Sequence, residues 1–272
     1  MRIVGYRTNL RQPLREPRRI VAVGPSNTEI LHALGLGRRI VGVDRWSDYP
    51  PRVKRLPRVG SDLRADTSLI AALSPDIVVA SLHVPGMEHN LPAFESAGLA
   101  YVAVGGEGLD GVWEDMRTIG HWLSRSARAC ALIDSTAARM DAVRARCTLA
   151  HDRPRVHWEW SAHPVVAARR SWITPLLEMA GACNVYADLN GESVRVTREE
   201  AVARQPDVVV ACWCGFLEPP SVDRICNRPG WENVPAVRAG RVAVVAEDLF
   251  GRPGPRLADG LQRLAGLLHP EL

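Results

Sequence analysis

The chain has 272 residues, of which 46% are hydrophobic and 24% charged, with a formal net charge of +4. That length exceeds one small core and accommodates two α/β units of roughly 100–130 residues each. Arginine is spread along the whole chain and Lys54 is the only lysine, which speaks against nucleic-acid binding. No apolar run approaches the roughly 20 residues of a membrane span.

The segment 1–19 carries Arg2, Arg7, Arg11, Arg15, Arg18 and Arg19 and no apolar run of the kind a secretory signal needs. As written, the chain is therefore expected in the cytoplasm, or in the periplasm or at the cell surface if its start is trimmed or mis-assigned. Ile20 to Val23 reads as a buried strand. Ser26-Asn27-Thr28-Glu29 has the capping-box form and predicts a helix capped by Ser26, running to Leu34 and stopped at Gly35. Strands follow at Ile40 to Val43, Ile77 to Ala80 and Tyr101 to Val104, with helices after Thr67 and up to Gly98. Strand and helix in this alternation predict a parallel sheet covered by helices.

The rhythm stops at Asp110. From there to about Thr148 there is no proline, and apolar positions recur at helical spacing from Val112 through Val143. A continuous helix of this length would measure about 57 Å; one break near Gly120 or Ser124 is the alternative. Beyond Pro154 strands are predicted at Arg155 to Trp158, Val208 to Cys212 and Arg241 to Val245. Helices are predicted from Thr174 to Ala180, Thr197 to Arg204 and Pro255 to Leu268, with Thr197-Arg-Glu-Glu200 a second capping box. The halves echo each other: Ala72-Leu-Ser-Pro-Asp76-Ile-Val-Val-Ala80 matches Ala203-Arg-Gln-Pro-Asp207-Val-Val-Val-Ala211, the signature of a duplicated architecture. The expected organisation is a lobe over 1–109, a linking helix over 110–149 and a second lobe over 150–272.

Three segments carry a resemblance: 20–31 (IVAVGPSNTEIL), 42–51 (GVDRWSDYPP) and 73–80 (LSPDIVVA). They resemble the helical-backbone substrate-binding proteins of ABC importers that serve vitamin B12, iron-siderophores and haem. The Ser47-Asp-Tyr-Pro-Pro51 segment and the stretch from Glu247 to Arg256 are most similar to the cobalamin-binding members, and the likeness spans about residues 18 to 268. The resemblance implies two Rossmann-like α/β lobes with parallel sheets joined by a single long α-helix, the class III periplasmic-binding-protein arrangement. It also implies a small-molecule ligand taken up between the lobes by loops at the carboxyl ends of the strands. Carried over residue by residue, it puts Trp46, Asp48 and Tyr49 at the ligand from the first lobe. Asp248, Phe250 and Arg252 follow from the second. Ser81 stands where the cobalamin binders carry one tryptophan, and Asp62 or Leu63 where they carry another, which opens the site to another metal chelate such as haem or an iron-siderophore. Glu88 and Glu218, each about a dozen residues past its Pro-Asp turn, match the acidic residues with which family members meet arginines on the permease.

Trp172 and Trp213 lie near strand ends and offer broad aromatic faces to a planar ligand or, equally, to the core. His83 follows the third strand and faces the same choice. His83, His157 and His163 with Asp248 lack the spacing of a metal motif, so no resident metal or cofactor is expected. Arg169 and Arg170 suit an anionic group or open solvent. The six cysteines do not form a disulfide framework and read as small buried thiols. No nucleophile elbow, phosphate loop or catalytic pair is present, and Gly24-Pro25-Ser26-Asn27 lacks the lysine a phosphate loop requires. The chain is expected to be a monomeric binding protein, or a cytoplasmic carrier or sensor of the same fold, and not an enzyme.

Overall fold

The computed structural model describes residues 5–162, 164–215 and 220–271 and divides the chain into two compact units, Met1–Ser135 and Thr136–Leu272. The first unit is built on β1 (Gly5–Thr8), β2 (Ile20–Val23), β3 (Ile40–Val43), β4 (Ile77–Ser81) and β5 (Tyr101–Gly105), in the sheet order β1-β5-β4-β2-β3. β2, β4 and β5 are buried along their whole length, as parallel strands covered on both faces must be, and this is why they read as unbroken apolar runs. Their side chains meet Phe94, Leu91 and Ile70 of the flanking helices. β1 runs antiparallel to β5. It is too short and too polar to announce itself, and it is pinned through Thr8 Oγ1 to the Tyr101 carbonyl (2.6 Å) and Asn9 Nδ2 to the Leu99 carbonyl (2.9 Å).

The helices of this unit are α1 (Pro25–Ala33), α2 (Thr67–Ala72), α3 (Asn90–Ser96) and α4 (Gly108–Trp122), after which α5 (Ser126–Cys147) contains the division between the units. The expected Ser26 cap is corrected: α1 begins at Pro25, with Gly24 in the cap position at φ 112°. Proline needs no amide partner at the first helical position. Ser26, Asn27, Thr28 and Glu29 consequently lie inside the helix and are buried. The long helical stretch takes the broken alternative. Ser124 adopts φ 52°, and a side chain at Gly120 would come within 2.5 Å of Ala129 Cβ, so the end of α4 and the start of α5 cross closely. The segment 110–149 is thus divided, and α4 packs against β5 and β1 of the first sheet.

The second unit contains β6 (Arg155–Ser161), β7 (Val165–Ala167), β8 (Cys183–Asn184), β9 (Ser193–Arg195), β10 (Val208–Ala211) and β11 (Val242–Val244). Its helices are α6 (Ile173–Met179), α7 (Arg198–Ala203), α8 (Val222–Cys226), α9 (Pro235–Arg238), α10 (Glu247–Phe250) and α11 (Leu257–Leu268). The sheet order is β11-β10-β6-β7-β9, with β8 also beside β6. β6, β8, β10 and β11 are parallel, whereas β7 runs antiparallel to both β6 and β9. The sheet is mixed where an all-parallel one was expected. The connection 162–164 is too short for the crossover a parallel pair needs, so β7 can only return as a hairpin. Of the second expected capping box the structure shows the Thr197 cap, which accepts from the Glu200 amide at 3.0 Å, whereas the Glu200 carboxylate accepts from Arg204 at 3.0 Å.

The nine-residue echo corresponds to one repeated hydrogen-bonding device. In the first unit Asp76 accepts from the amides of Arg18 (2.6 Å) and Arg19 (2.9 Å), returns its own amide to the Arg19 carbonyl, and Arg19 reaches the Leu73 and Ser74 carbonyls. In the second, Asp207 accepts from the Arg155 amide (2.8 Å), its amide binds the Arg155 carbonyl, and Arg155 reaches the Arg204 carbonyl. Ser74 and Gln205, matching positions before the proline, share φ near 45° (45° and 46°). Each clamp joins the amino ends of two central strands.

At the other end of the first sheet, Gly106 and Gly111 lie backbone on backbone: a Cβ on Gly111 would fall 2.3 Å from the Gly106 carbonyl carbon. Alanine in a helix normally gains about 1 kcal/mol over glycine. Here Gly111→Ala is expected to destabilise by about 1–3 kcal/mol, because main chain cannot yield as a flexible side chain would. Urea unfolding checks the sign, and a stabilised variant would show that α4 does not depend on this contact.

Candidate ligand-binding site

In the first unit the carboxyl ends of β2 and β3 are tied together by Asp44, which is inaccessible to solvent. Its carboxylate accepts from the amides of Gly24 (3.0 Å), Trp46 (2.8 Å) and Ser47 (3.2 Å) and from the Ser47 hydroxyl. Thr28 Oγ1 donates in turn to Ser47 Oγ at 2.8 Å, and Arg58 donates to the carbonyls of Asp44 (2.8 Å) and Ser47 (2.6 Å). With its backbone held this way, the loop presents Trp46 and Asp48 half-buried and Tyr49 exposed. Asp44 itself escaped the sequence reading. The signal for it was an aspartate at a strand end with a small polar residue three places on, the pattern of a side chain bonding its own following backbone.

His83 and Glu88 occupy the loop after β4. His83 Nε2 lies 2.8 Å from Asp115 Oδ2, with both side chains almost wholly buried. Asp115, one helical turn past Gly111 on α4, also accepts the Gly106 amide at 3.0 and 3.1 Å. The imidazole is therefore engaged in joining the loop to α4. Glu88 sits on the single 3-10 turn Met87–His89 and accepts the Gly86 amide at 2.8 Å. Hydrogen bonds from its own amide and from Gly86 hold its carboxyl below the usual glutamate range, so the charge persists. Glu218 and His163 lie outside the described residues.

In the second unit the site divides between the two faces of β6, because successive side chains of a strand point to opposite sides. On one face stand Trp158 and Trp160, 5.7 Å apart between ring centroids. Trp158 meets Phe250 edge-on at 5.0 Å, and Trp160 approaches Trp172 at 6.1 Å. The Trp172 indole donates to the Phe250 carbonyl at 2.8 Å, which fixes α10 and with it Asp248. Asp248, half-buried, accepts from Arg256 at 2.8 Å, and Arg252 follows α10 with little exposure. Phe250 is 1% exposed and fills the core beneath these residues. The structure thus gathers Trp172, Asp248, Phe250 and Arg252, and adds Trp160.

Trp213 belongs to the opposite face. Glu159, inaccessible to solvent, accepts from the Trp213 indole (2.9 Å), from both terminal nitrogens of Arg228 (2.7 Å each) and from His157 Nε2 (3.1 Å). His157 Nδ1 meets the Tyr186 hydroxyl at 2.7 Å, and the Arg224 guanidinium lies 5.1 Å over the Trp213 ring. Burial by itself pushes the Glu159 carboxyl up. The bonds from Arg228 and His157 outweigh it and hold the group at about 2. Trp213 is packed with Trp231, Ile225 and Val234. Arg169 and Arg170 are exposed, and Arg169 reaches the Ala187 carbonyl. All six cysteines are unpaired, but the expectation of buried thiols is corrected: only Cys147 and Cys212 are buried and Cys130 is exposed. A depression of about 500 Å³ lies at the amino ends of β10 and β11, lined by Val208, Arg241, Val242, Leu268 and His269. No expected ligand residue lines it, and the aromatic and charged groups of both units collect instead at the carboxyl ends, where open α/β sheets bind their ligands.

Comparison with known proteins agrees with this architecture. The family profile described as periplasmic binding protein matches residues 20–249. The chain is 30% identical over 265 residues to an uncharacterized ABC transporter substrate-binding lipoprotein of Bacillus subtilis, YvrC, covering 94% of this chain and 82% of that one. It is 25% identical over 258 residues to the vitamin B12-binding protein of Pectobacterium atrosepticum, covering 93% and 88%. The solved apo structure of the periplasmic haem-binding protein RhuT of Roseiflexus superposes with a TM-score of 0.80 at 27% identity, covering 94% of this chain and 99% of that one. The chain belongs to the periplasmic binding protein family. It is an ABC-transporter substrate-binding protein, similar to relatives named as vitamin B12-binding and haem-binding proteins.

Glu159→Gln should cost on the order of 3 kcal/mol near neutral pH, since it leaves Arg228 buried without its charge partner. The folded carboxyl titrates near 2 against 4.5 for the ordinary group. The wild-type advantage is therefore complete above 4.5 and is lost as pH falls toward 2. Unfolding curves across that range should converge in acid. A gap that stays constant down to pH 2 would remove the carboxylate from this role.

Proposed function

We propose that this member of the periplasmic binding protein family captures a corrinoid of the vitamin B12 type and delivers it to an ABC importer. The observation that carries the reading is the likeness, over 93% of the chain, to a relative named as a vitamin B12-binding protein. The loop that presents Trp46, Asp48 and Tyr49 is held by Asp44, and this supports it. An aromatic face on a fixed backbone suits a broad, flat ligand, because little ordering is left to occur on binding. In the second unit Trp172, Asp248, which is paired with Arg256, and Arg252 are the groups proposed for the ligand.

A second reading, haem or a ferric siderophore, is favoured by two observations. Ser81, and Asp62 or Leu63, stand where the resemblance leads one to expect tryptophan. The solved haem-binding protein of Roseiflexus superposes over 94% of this chain at 27% identity. Titrating the purified protein with cobalamin, cobinamide, haem and a ferric siderophore, read by visible absorbance, separates the two. Tightest binding of a corrinoid is expected, and tightest binding of haem would replace the first reading. Trp46→Ala should weaken the preferred ligand by about 1–3 kcal/mol, the usual worth of a stacked aromatic anchor; an unchanged dissociation constant would show that Trp46 only packs.

Glu88, and Glu218 in the second unit, are proposed to meet the permease. Rim charges govern encounter and orientation more than buried affinity. Reversing both to arginine should abolish permease-dependent uptake and leave ligand affinity as it was. An importer component works outside the cytoplasmic membrane, so fractionation of cells expressing the gene with its upstream region intact tests the reading as a whole. A wholly cytoplasmic pool would put an intracellular ligand carrier in its place.

A further inference from the structure

Among the aromatic residues gathered on one face of β6, exposure sets one apart. Trp158 and Phe250 are sealed from solvent, and Trp172 is buried with its indole N–H given to the Phe250 carbonyl. Trp160, near the carboxyl end of the strand, is half-buried. The backbone accounts for the difference. β6 and β7 pair Glu159 with Val166 and Ser161 with Val165. β6 therefore advances two residues where β7 advances one, and Trp160 is the extra residue of a β-bulge. A bulge bends its strand and re-aims the side chain it carries. On the other edge of β6 the Cys214 amide donates to the Trp160 carbonyl at 3.2 Å, which ties the bulge to the segment after β10. The ring is braced as well. Trp158 meets it edge-on, at 5.7 Å and 66°, and Trp172 at a tilt, at 6.1 Å and 53°. Its indole nitrogen is buried and has no hydrogen-bond partner among the described residues. What Trp160 offers outward is ring surface and not its N–H.

We infer that Trp160 is the aromatic surface with which the second unit meets its ligand, that Trp158 and Trp172 are its supports, and that the ligand is a macrocycle with a broad flat face. The inference rests on the chelate reading above and narrows it: Trp172 acts by bracing Trp160 and, through Phe250, by fixing α10. Mere packing gives no reason for this arrangement. A bulge gives up a place in the hydrogen-bonded ladder, and a buried N–H without an acceptor costs further stability. A phenylalanine in regular pairing would fill the layer without either cost. A ligand gives the reason, because tryptophan presents the largest flat apolar face of any side chain. A ring already braced on two sides has little freedom left to lose on binding. Such a surface suits a macrocycle better than an open-chain siderophore, whose polar groups would find no donor on it.

Hydroxyl-radical labelling of the folded wild-type protein tests this, because trypsin releases Trp158 and Trp160 in the peptide 156–169 and Trp172 in the peptide 171–195. Labelling is compared without ligand and with cobalamin or haem at saturation, which visible absorbance reports, and fragmentation of the first peptide separates its two tryptophans. Trp160 should be the most labelled of the three in the free protein and lose most of its label when a macrocycle binds, while Trp158 stays as it was. A bound macrocycle that leaves Trp160 labelling unchanged, or that protects Trp172 alone, overturns the inference and leaves the chelate reading standing. Failure of both macrocycles to bind removes the macrocycle from that reading, and the inference with it. Trp160→Ala should weaken the bound macrocycle roughly 10-fold or more. Trp160→Phe keeps a flat ring and removes no hydrogen bond, so it should retain most of the affinity. An unchanged dissociation constant in Trp160→Ala overturns the inference. The wild-type labelling decides it even if a variant fails to fold.

Discussion

A carboxylate removed from water must find donors, or the fold bears the cost of a bare charge. Among the described residues Glu29 within α1 is in that position, and so are three carboxylates outside it, Asp44, Asp115 and Glu159, none of the four more than 3% exposed. The latter three stand at or beside the carboxyl ends of strands. Their donors are the amides, the imidazoles, the indole and the guanidinium of the neighbouring loops. Satisfying each charge therefore fixes a loop. Asp44 sets the segment that presents Trp46, Asp48 and Tyr49. Asp115 ties the His83 loop to α4, and Glu159 ties the excursion from Trp213 to Arg228 back onto β6. The residues offered to a ligand are held in place by charges that never reach it.

The opposite ends of the sheets are held differently. There Asp76 and Asp207 accept main-chain amides, and Arg19 and Arg155 close the carbonyls of the preceding helix. The device is the same in both units, down to the left-handed residue before each proline. It carries no side chain toward any site. The amino ends carry these main-chain clamps, and the residues proposed for a ligand stand at the carboxyl ends, where open α/β sheets bind their ligands. Members of this family carry a ligand without transforming it, and a rigid scaffold with pre-set loops suits that task.

β6 shows how one strand serves two purposes. Its pleat sorts Trp158 and Trp160 into an aromatic layer with Trp172 and Phe250, and His157 and Glu159 into a charged one. In the segment after β10, Trp213 joins the charged layer through its indole bond to Glu159. Neighbouring residues in the chain thereby acquire unrelated surroundings.

By itself the sequence determined whatever is local. The central strands were legible because a strand buried on both faces must be continuously apolar, the Thr197 cap because its partner lies three residues on, and the Pro-Asp echo as a repeated local pattern, although its partners Arg19 and Arg155 lie 57 and 52 residues away. The loop from Trp46 to Tyr49 was legible through resemblance. Tertiary structure decided the rest. β1, β7, β8 and β9 are short, and a strand of two to four residues shows no period until its neighbour supplies one. Ser26 looked like a cap, but Pro25 and Gly24, whose amide Asp44 takes, start α1 earlier. His83 pairs with Asp115 across 32 residues and Glu159 with Arg228 across 69. No local pattern encodes such a pairing, because it is the exclusion of water after folding that makes each carboxylate require that particular partner.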